Sequence, residues 1–314
     1  MASKRKIIID TDPGQDDAVA ILLALASPEI EVLGITAVAG NVPLSLTAKN
    51  ARIICEVAGK ADTRVFAGCD QPMRRNLVTA EHVHGRTGLD GPDLWEPTMP
   101  IQDQHAVDFI IETLRSEPTG TVTLATLGPL TNVATAFDRA PDIVPRVAEI
   151  VSMGGAYFEV GNITPAAEFN IYVDPEAADI VFKSGTPLTL MPLDVTHKAL
   201  VTKPRNDAFR SLGNRTGVFT AEMTEFFERF DKEKYGSAGA PLHDPTVIAY
   251  LINPDLFSGR HINVEVETTS DLTLGMTVAD WWRVTNRPAN ATFMGDLDAD
   301  GFFTLLTERL ARLP

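Results

Sequence analysis

From Lys6 to Met191, short apolar runs rich in β-branched residues alternate with longer stretches whose apolar positions recur every three or four residues. Lys6 to Asp10, Glu31 to Ala39, Arg64 to Ala67, Thr121 to Thr126, Val147 to Met153 and Leu188 to Met191 read as short buried strands. Between them, Asp16 to Ala26, Ser45 to Ala58, Ala106 to Arg115 and Pro175 to Lys183 carry helical spacing. This alternation predicts an α/β fold: an open, Rossmann-like, largely parallel sheet with helices on both faces. Ligands of such sheets gather at the carboxyl ends of the strands. The segments "DTDPGQDD", "AVAGN", "TLGPLTN" and "SMGGA" each follow a predicted strand directly, so four strand ends are expected to converge on one crevice.

Further along, Asn206 to Gly239 reads as helical and then Gly- and Ser-containing, so residues 206–240 are expected to form a mobile flank of that crevice. The stretch from His261 to Met294 alternates like β structure, and "DADGFFTLLTERLARL" closes the chain as a helix. There is no internal repeat, low-complexity tract or linker, and residues 1–314 are read as one domain.

Composition narrows the partners. With 44% hydrophobic residues, 22% charged residues and a net charge of -15, the chain has the profile of a well-packed protein with an acidic surface. That field repels phosphate backbones, and no sustained Lys/Arg run offsets it, which argues against nucleic acid and anionic membranes as partners. A neutral small molecule or a cation fits better. Cys55 and Cys69 alone support neither a zinc ribbon nor a disulfide framework. Three isoleucines before Asp10 are too few for a signal peptide, and no run approaches the roughly 20 apolar residues of a membrane span. The expectation is a cytoplasmic protein.

The sharpest chemical signal is "IIIDTDPGQDDAVAILLAL", where Asp10, Asp12, Asp16 and Asp17 crowd a strand-to-helix junction. Helix capping explains one or two of them. Four like charges so close raise one another's pKa unless a cation neutralises them. A hard divalent ion with oxygen ligands, calcium or magnesium, is the preferred account. Pro13 and Gly14 are read as the turn that folds Asp12 back towards Asp16 and Asp17. The loop is no EF-hand, since the final Glu and the D-x-D-x-D-G order are missing. A phosphatase of the haloacid-dehalogenase-like type is the competing reading, with Asp10 as nucleophile. Gly14 stands where that type usually has Thr or Val, and no Lys/Arg phosphate clamp is evident.

Downstream stand "AEFNIYVDPEAA" and "PLHDP". Asp174 and Asp244 each precede a proline that opens a helix, which is a capping position, but capping is not expected to account for Glu168 or Asn170. With "DTDPGQDDA", "AVAGN", "HGRTGLDG" and "LGPLTN", these motifs resemble the inosine-uridine-preferring nucleoside hydrolase family in order and spacing, from about Lys6 to Pro245. The resemblance implies the nucleoside hydrolase fold and an N-ribohydrolase that binds one calcium ion below a ribose pocket. On the matching positions, Asp12, Asp17, Asp244 and the main-chain carbonyl of Leu127 would hold the ion. Asp12 would be general base to a water attacking an oxocarbenium-like ribosyl centre. Asp10 would support the site from outside the ligand set. Asp16, Asn41 and Asn170 would bind the 2'- and 3'-hydroxyls, Asn162 and Glu168 the 5'-hydroxyl, and Met153 would lie under the sugar.

His84 and His243 fall inside matching motifs and are expected to face the base, with His243 protonating or hydrogen-bonding the leaving group. His82, His105, His197 and His261 have no such support and are read as surface or structural. Phe169 and Tyr235 are the candidates to stack on the base. Trp281 and Trp282 are read as strand neighbours, one buried and one at an interface. The family resemblance further implies a homo-oligomer, dimer or tetramer, acting on ribonucleosides in nucleobase salvage. A ribonucleoside-binding protein without turnover remains the third reading.

Overall fold

The computed structural model describes residues 4–314, apart from the side chains of Asp231 and Tyr235. Its first half runs β1 (Arg5–Thr11), α1 (Gln15–Ala26), β2 (Ile30–Ala37), α2 (Leu44–Val57), β3 (Val65–Ala67), α3 (Glu81–His84), α4 (Ala106–Ser116), β4 (Val122–Thr126) and α5 (Thr131–Arg139). Then come β5 (Val147–Met153), α6 (Phe169–Val173), α7 (Pro175–Phe182), β6 (Leu188–Met191), α8 (Leu193–Thr196), β7 (Leu200–Thr202), α9 (Lys203–Ser211), α10 (Arg215–Tyr235) and β8 (Gly239–Pro241). The chain ends with α11 (Pro245–Ile252), β9 (Phe257–Ile262), β10 (Val264–Val266), β11 (Thr277–Ala279), β12 (Ala291–Leu297) and α12 (Ala299–Leu310).

Eight strands form the main sheet in the order β3-β2-β1-β4-β5-β6-β12-β9. Neighbours pair parallel except β9, which runs antiparallel to β12 at the edge. The late β-patterned region thus splits: β9 and β12 extend the sheet, and β10 with β11 forms a separate antiparallel pair. Trp281 and Trp282 follow β11 in a turn rather than on a strand. Trp281 is partly buried against the core, and Trp282 is 69% exposed.

Alternation along β1 explains the two helical layers. Ile7 and Ile9 join the core shared with α1, α2, α11 and α12, and Ile8 joins the core shared with α4, α5 and α7. Helix α1 is apolar on every side because it is covered on every side; Ala18 through Leu23 are fully buried. It therefore anchors the loop before it rigidly. From β1 the strand order proceeds to β2 and β3 on one side and to β4, β5 and β6 on the other. The loops after β1 and β4 consequently diverge, which opens a crevice at that switch point.

Candidate active site

The first aspartates stand directly on that switch point. Asp10, near the end of β1, is 1% exposed; its Oδ1 accepts from Thr36 Oγ1 at 2.6 Å and from Asn132 Nδ2 at 2.8 Å. Burial pushes its carboxyl up to about 7 against those two hydrogen bonds. Asp10 thus ties β1 to β2 and to the start of α5, a supporting role. Asn132, the last residue of "TLGPLTN", also accepts from Cys69 N at 2.8 Å and was not singled out from the sequence.

Asp12 lies between two loops that only glycine can line. A Cβ on Gly40 would come within 2.0 Å of Asp12 Oδ2, and one on Gly128 within 2.2 Å of Asp12 Oδ1. Oδ2 accepts from Asn41 N at 2.7 Å, whereas the buried Oδ1 has no partner among the described residues. Asp17 accepts from Thr11 Oγ1 and, at 2.9 Å, from Gly14 N, so one of the four carboxylates does serve the helix terminus. Gly14 itself has an extended backbone, φ -97°, and is needed for space instead of for a turn: a Cβ there would meet His84 Nδ1 at 2.4 Å. Asn41 Nδ2 links Asp12 O at 3.1 Å and Asp17 Oδ2 at 3.3 Å.

Asp244 precedes α11 at the cap position but makes no cap hydrogen bond; its side chain turns to the acidic group. Oxygens of Asp16, Asp17 and Asp244 lie within 4.8 Å of one another, and all three side chains are buried. Asp12 is outside this trio, while Asp16, expected to bind sugar, is inside it. Burial, followed by repulsion from the neighbouring carboxylates, raises Asp16 to about 8 and Asp12 and Asp244 well above the usual range, and burial raises Asp17. A second buried oxygen, Asp16 Oδ1, is also without a partner among the described residues. Buried carboxylates with orphaned oxygens fit a hard cation far better than they fit capping.

Above the carboxylates lies a cavity of about 450 Å³. Of the expected contact residues, Asp16, Asn41, His84, Leu127, Met153, Asn162, Glu168, Phe169, Asn170, His243 and Asp244 line it, and Asp12 and Asp17 are buried next to Asp16 without lining it themselves. Asn170 Nδ2 donates to Leu127 O at 2.7 Å and to Met153 O at 3.3 Å, tying the ends of β4 and β5 together. Glu168 corrects the expectation that capping cannot explain it. It is the N-cap of α6, accepting from Asn170 N at 2.9 Å and Ile171 N at 3.3 Å, and also from Gly155 N at 3.1 Å. Gly155 takes φ +90°, a left-handed conformation open to glycine, to aim that N–H. Burial raises the Glu168 carboxyl to about 7. Asn162 Oδ1 accepts from Phe169 N at 2.9 Å, and Phe169 packs with Ala80 and Val173.

The other end of the cavity differs most from expectation. His84 is buried, bonds Gln15 through Nδ1 at 2.7 Å and stacks on Phe227 with ring centres 5.4 Å apart; burial drops its pKa to about 3. His82 and His197, read as surface or structural, also line the cavity, as do Phe227 and Phe230. His197 follows β6, a strand end to which the same ligand rule applies. His105 caps α4, accepting from Val107 N, and His261 is exposed on β9. Tyr235 closes α10, and its side chain is outside the described part of the structure. His243 Nδ1 meets Thr196 Oγ1 at 2.7 Å, and burial, helped by the neighbouring His197 and His84, lowers its pKa well below the usual value.

The chain matches the family model described as inosine-uridine preferring nucleoside hydrolase over residues 7–304. A protein of Schizosaccharomyces pombe is 52% identical, covering 98% of this chain and 100% of that one. The pyrimidine-specific ribonucleoside hydrolase RihA of Escherichia coli is 48% identical, covering 97% of each chain. Among solved structures, a purine-preferring ribonucleoside hydrolase from Gardnerella vaginalis superposes with a TM-score of 0.91 at 32% identity, covering 98% of both chains. These matches leave the phosphatase reading without support. The chain belongs to the inosine-uridine preferring nucleoside hydrolase family and is an enzyme that hydrolyses the N-glycosidic bond of ribonucleosides.

Proposed function

We propose that this enzyme splits pyrimidine ribonucleosides for nucleobase salvage, with one calcium ion at the floor of its cavity. The observation that carries the reading is the buried acidic group with its two orphaned oxygens, set beneath a cavity whose described lining has no lysine or arginine. Such a lining disfavours phosphates and suits a neutral nucleoside. The 48% identity to a relative named pyrimidine-specific, against 32% to one named purine-preferring, supports the choice of base. An all-oxygen donor set supports calcium.

Asp12, Asp17, Asp244 and the Leu127 carbonyl are the residues we assign to the ion. When bound, a divalent cation neutralises these carboxylates and supplies Lewis acidity to the attacking water. Asp16, Asn41 and Asn170 hold the 2'- and 3'-hydroxyls, and the position of all three on the cavity wall supports that assignment. Asn162 and Glu168 address the 5'-hydroxyl, and Met153 underlies the ring. Asp12 takes the proton of the water as its oxygen bonds to C1'. The C1'–N electron pair leaves with the base, which His243 stabilises by hydrogen bonding; the base then takes up one proton from solvent and Asp12 returns the one it took to solvent, so that the charges balance. Ribose and the free base result. A site built around the 2'-hydroxyl discriminates strongly against deoxyribosides.

We assign the enzyme to the cytoplasm, on the support of its two free thiols, and to a homo-oligomer, on the support of Trp282 and Val284 standing exposed two residues apart after β11. The 206–240 flank, with α10 at its centre, is the segment we assign to closure over the base. Ribose release from uridine, cytidine, inosine, adenosine and guanosine, with and without a calcium chelator, tests the proposal. Release from uridine and cytidine that chelator abolishes and calcium alone restores is the expected result. Purine release in excess of pyrimidine release, or indifference to chelator, would refute the corresponding part.

A further inference from the structure

Helix α8 is only one turn long, yet it touches both walls of the cavity. Asp194, buried, accepts from three successive backbone N–H groups of the loop after β5: Tyr157 at 2.9 Å, Phe158 at 2.7 Å and Glu159 at 3.3 Å. The turn is tied a second time by Leu193 N donating to Gly155 O at 2.8 Å, and a third time by His197 Nδ1 against Glu159 Oε2 at 3.1 Å. On the opposite side, Leu242 N donates to Ala199 O at 2.9 Å, and β7 pairs with β8, so the residues leading into His243 are fixed to the same unit. Between these anchors sits Thr196, fully buried, with its hydroxyl 2.7 Å from His243 Nδ1.

Two arrangements satisfy that distance. If Nδ1 carries the proton and donates, the buried threonine hydroxyl hydrogen is left with no acceptor among the described residues, which is unfavourable for a group shut off from water. If the hydroxyl donates to Nδ1, both groups are satisfied and the ring proton resides on Nε2. The second arrangement leaves an N–H donor on the ring that lines the cavity.

We propose that Thr196 is a positioning residue for glycosidic cleavage: mounted on the rigid α8 turn, its hydroxyl donates to Nδ1 and so holds the His243 ring proton on Nε2, where it can be offered to the departing base. This rests on His243 facing the base, as proposed above. It assigns the threonine no contact with substrate. It also explains why a turn of four residues carries so many tethers, because a donor displaced by even 1 Å loses most of its value in the transition state.

The test compares turnover of uridine with that of an activated aryl riboside, whose phenolate leaves without help. Thr196→Val keeps the shape and removes the hydroxyl; it should lower kcat on uridine about tenfold to a hundredfold, the range for a lost hydrogen bond of this kind, and spare the aryl riboside. Thr196→Ser should restore uridine turnover. A purely structural role would depress both substrates together, and that pattern overturns the inference. So does wild-type turnover of uridine by Thr196→Val while His243→Ala is impaired. Full uridine turnover by His243→Ala would instead remove the reading of His243 on which the inference stands. Should Thr196→Val fail to fold, 15N imidazole shifts of the intact wild-type enzyme decide the matter: an Nε2–H signature for His243 upholds the assignment and an Nδ1–H signature overturns it.

Discussion

The two ends of the cavity, one that we assign to the sugar and one that we assign to the base, are built in different ways. At the sugar end Asp12, Asp16, Asp17 and Asn41 leave the ends of β1 and β2 or the helix that follows, Asn170 stands on α6, and all five are buried. At the base end the wall comes from α3, α10, the turn after α8 and the loop after β5, where His82 is exposed and Val160 is 69% exposed. One end is part of the core and inherits its rigidity; the other is draped over it. A family that shares a sugar chemistry and differs in base preference, as the names of the two relatives do, is what such a division permits.

The largest effect should come from the sugar end. Asp12→Asn removes the assigned base and one carboxylate from the floor, and kcat on uridine should fall about a thousandfold or more. Steady-state kinetics with saturating calcium would check this, and an unchanged kcat would end the assignment of Asp12. Gly128→Ala should come next. Its Cβ would overlap Asp12 Oδ1, and Asp12 is walled on the other side by Gly40, so the carboxylate has nowhere to retreat. A loss of about a hundredfold in kcat/KM with a destabilisation of about 1–3 kcal/mol is expected, measurable by kinetics and thermal unfolding. Wild-type behaviour would mean that the sugar end is softer than its packing implies.

These two substitutions also mark what could be read from the sequence. Strands β1 to β6 were legible to within a residue or two because buried parallel strands are continuous β-branched runs bounded by turn residues. The acidic group was legible because four like charges at one junction demand a counter-charge. The roles of Gly40 and Gly128 were not, since they depend on three loops meeting around Asp12 from distant parts of the chain. The placement of β9 and β12 in the sheet is likewise a matter of long-range pairing. His197 was within reach: "MPLDVTHK" follows β6 as the other motifs follow their strands, and the same rule applied there points to it. His82, Phe227 and Phe230 were not, because apolar and histidine positions on α3 and α10 acquire a cavity only through the packing of one helix against the other. Glu168 carried two meanings, cap and cavity wall, and the pattern alone does not separate them.

At the base end the expected effects are smaller and fall on binding. Phe227→Ala removes the ring stacked on His84 and should raise KM for uridine about tenfold with kcat changed little. The same variant should let water reach His84, whose pKa of about 3 is held down chiefly by burial, and move it back towards the ordinary histidine value. The sign for stability follows. A histidine with a depressed folded pKa contributes stability above its unfolded pKa of about 6.5, lost as pH falls towards 3, so the variant should show a shallower acid limb between those values. Proton NMR titration of His84 and unfolding at several pH values would check both. A large fall in kcat with KM unchanged would tie this wall to the chemistry and blur the division between the two ends.

The smallest effect on the ion itself is expected where the backbone, rather than a side chain, is assigned to it. Leu127 is buried, and truncation to alanine should cost about 2–5 kcal/mol of stability through the cavity it leaves. Its carbonyl, held by Asn170 Nδ2, is unchanged by that truncation. Calcium affinity by calorimetry at a temperature where the variant is folded should therefore stay within about a factor of two of wild type, well under the tenfold that 1.4 kcal/mol represents. Stability and ion binding would then separate at a single residue, as they should if the strand end positions the carbonyl through backbone pairing between β1 and β4. A severe loss of affinity would instead mean that the leucine side chain holds the strand end in place, and that the rigidity of the sugar end is supplied by packing beneath the carboxylates as much as by the sheet.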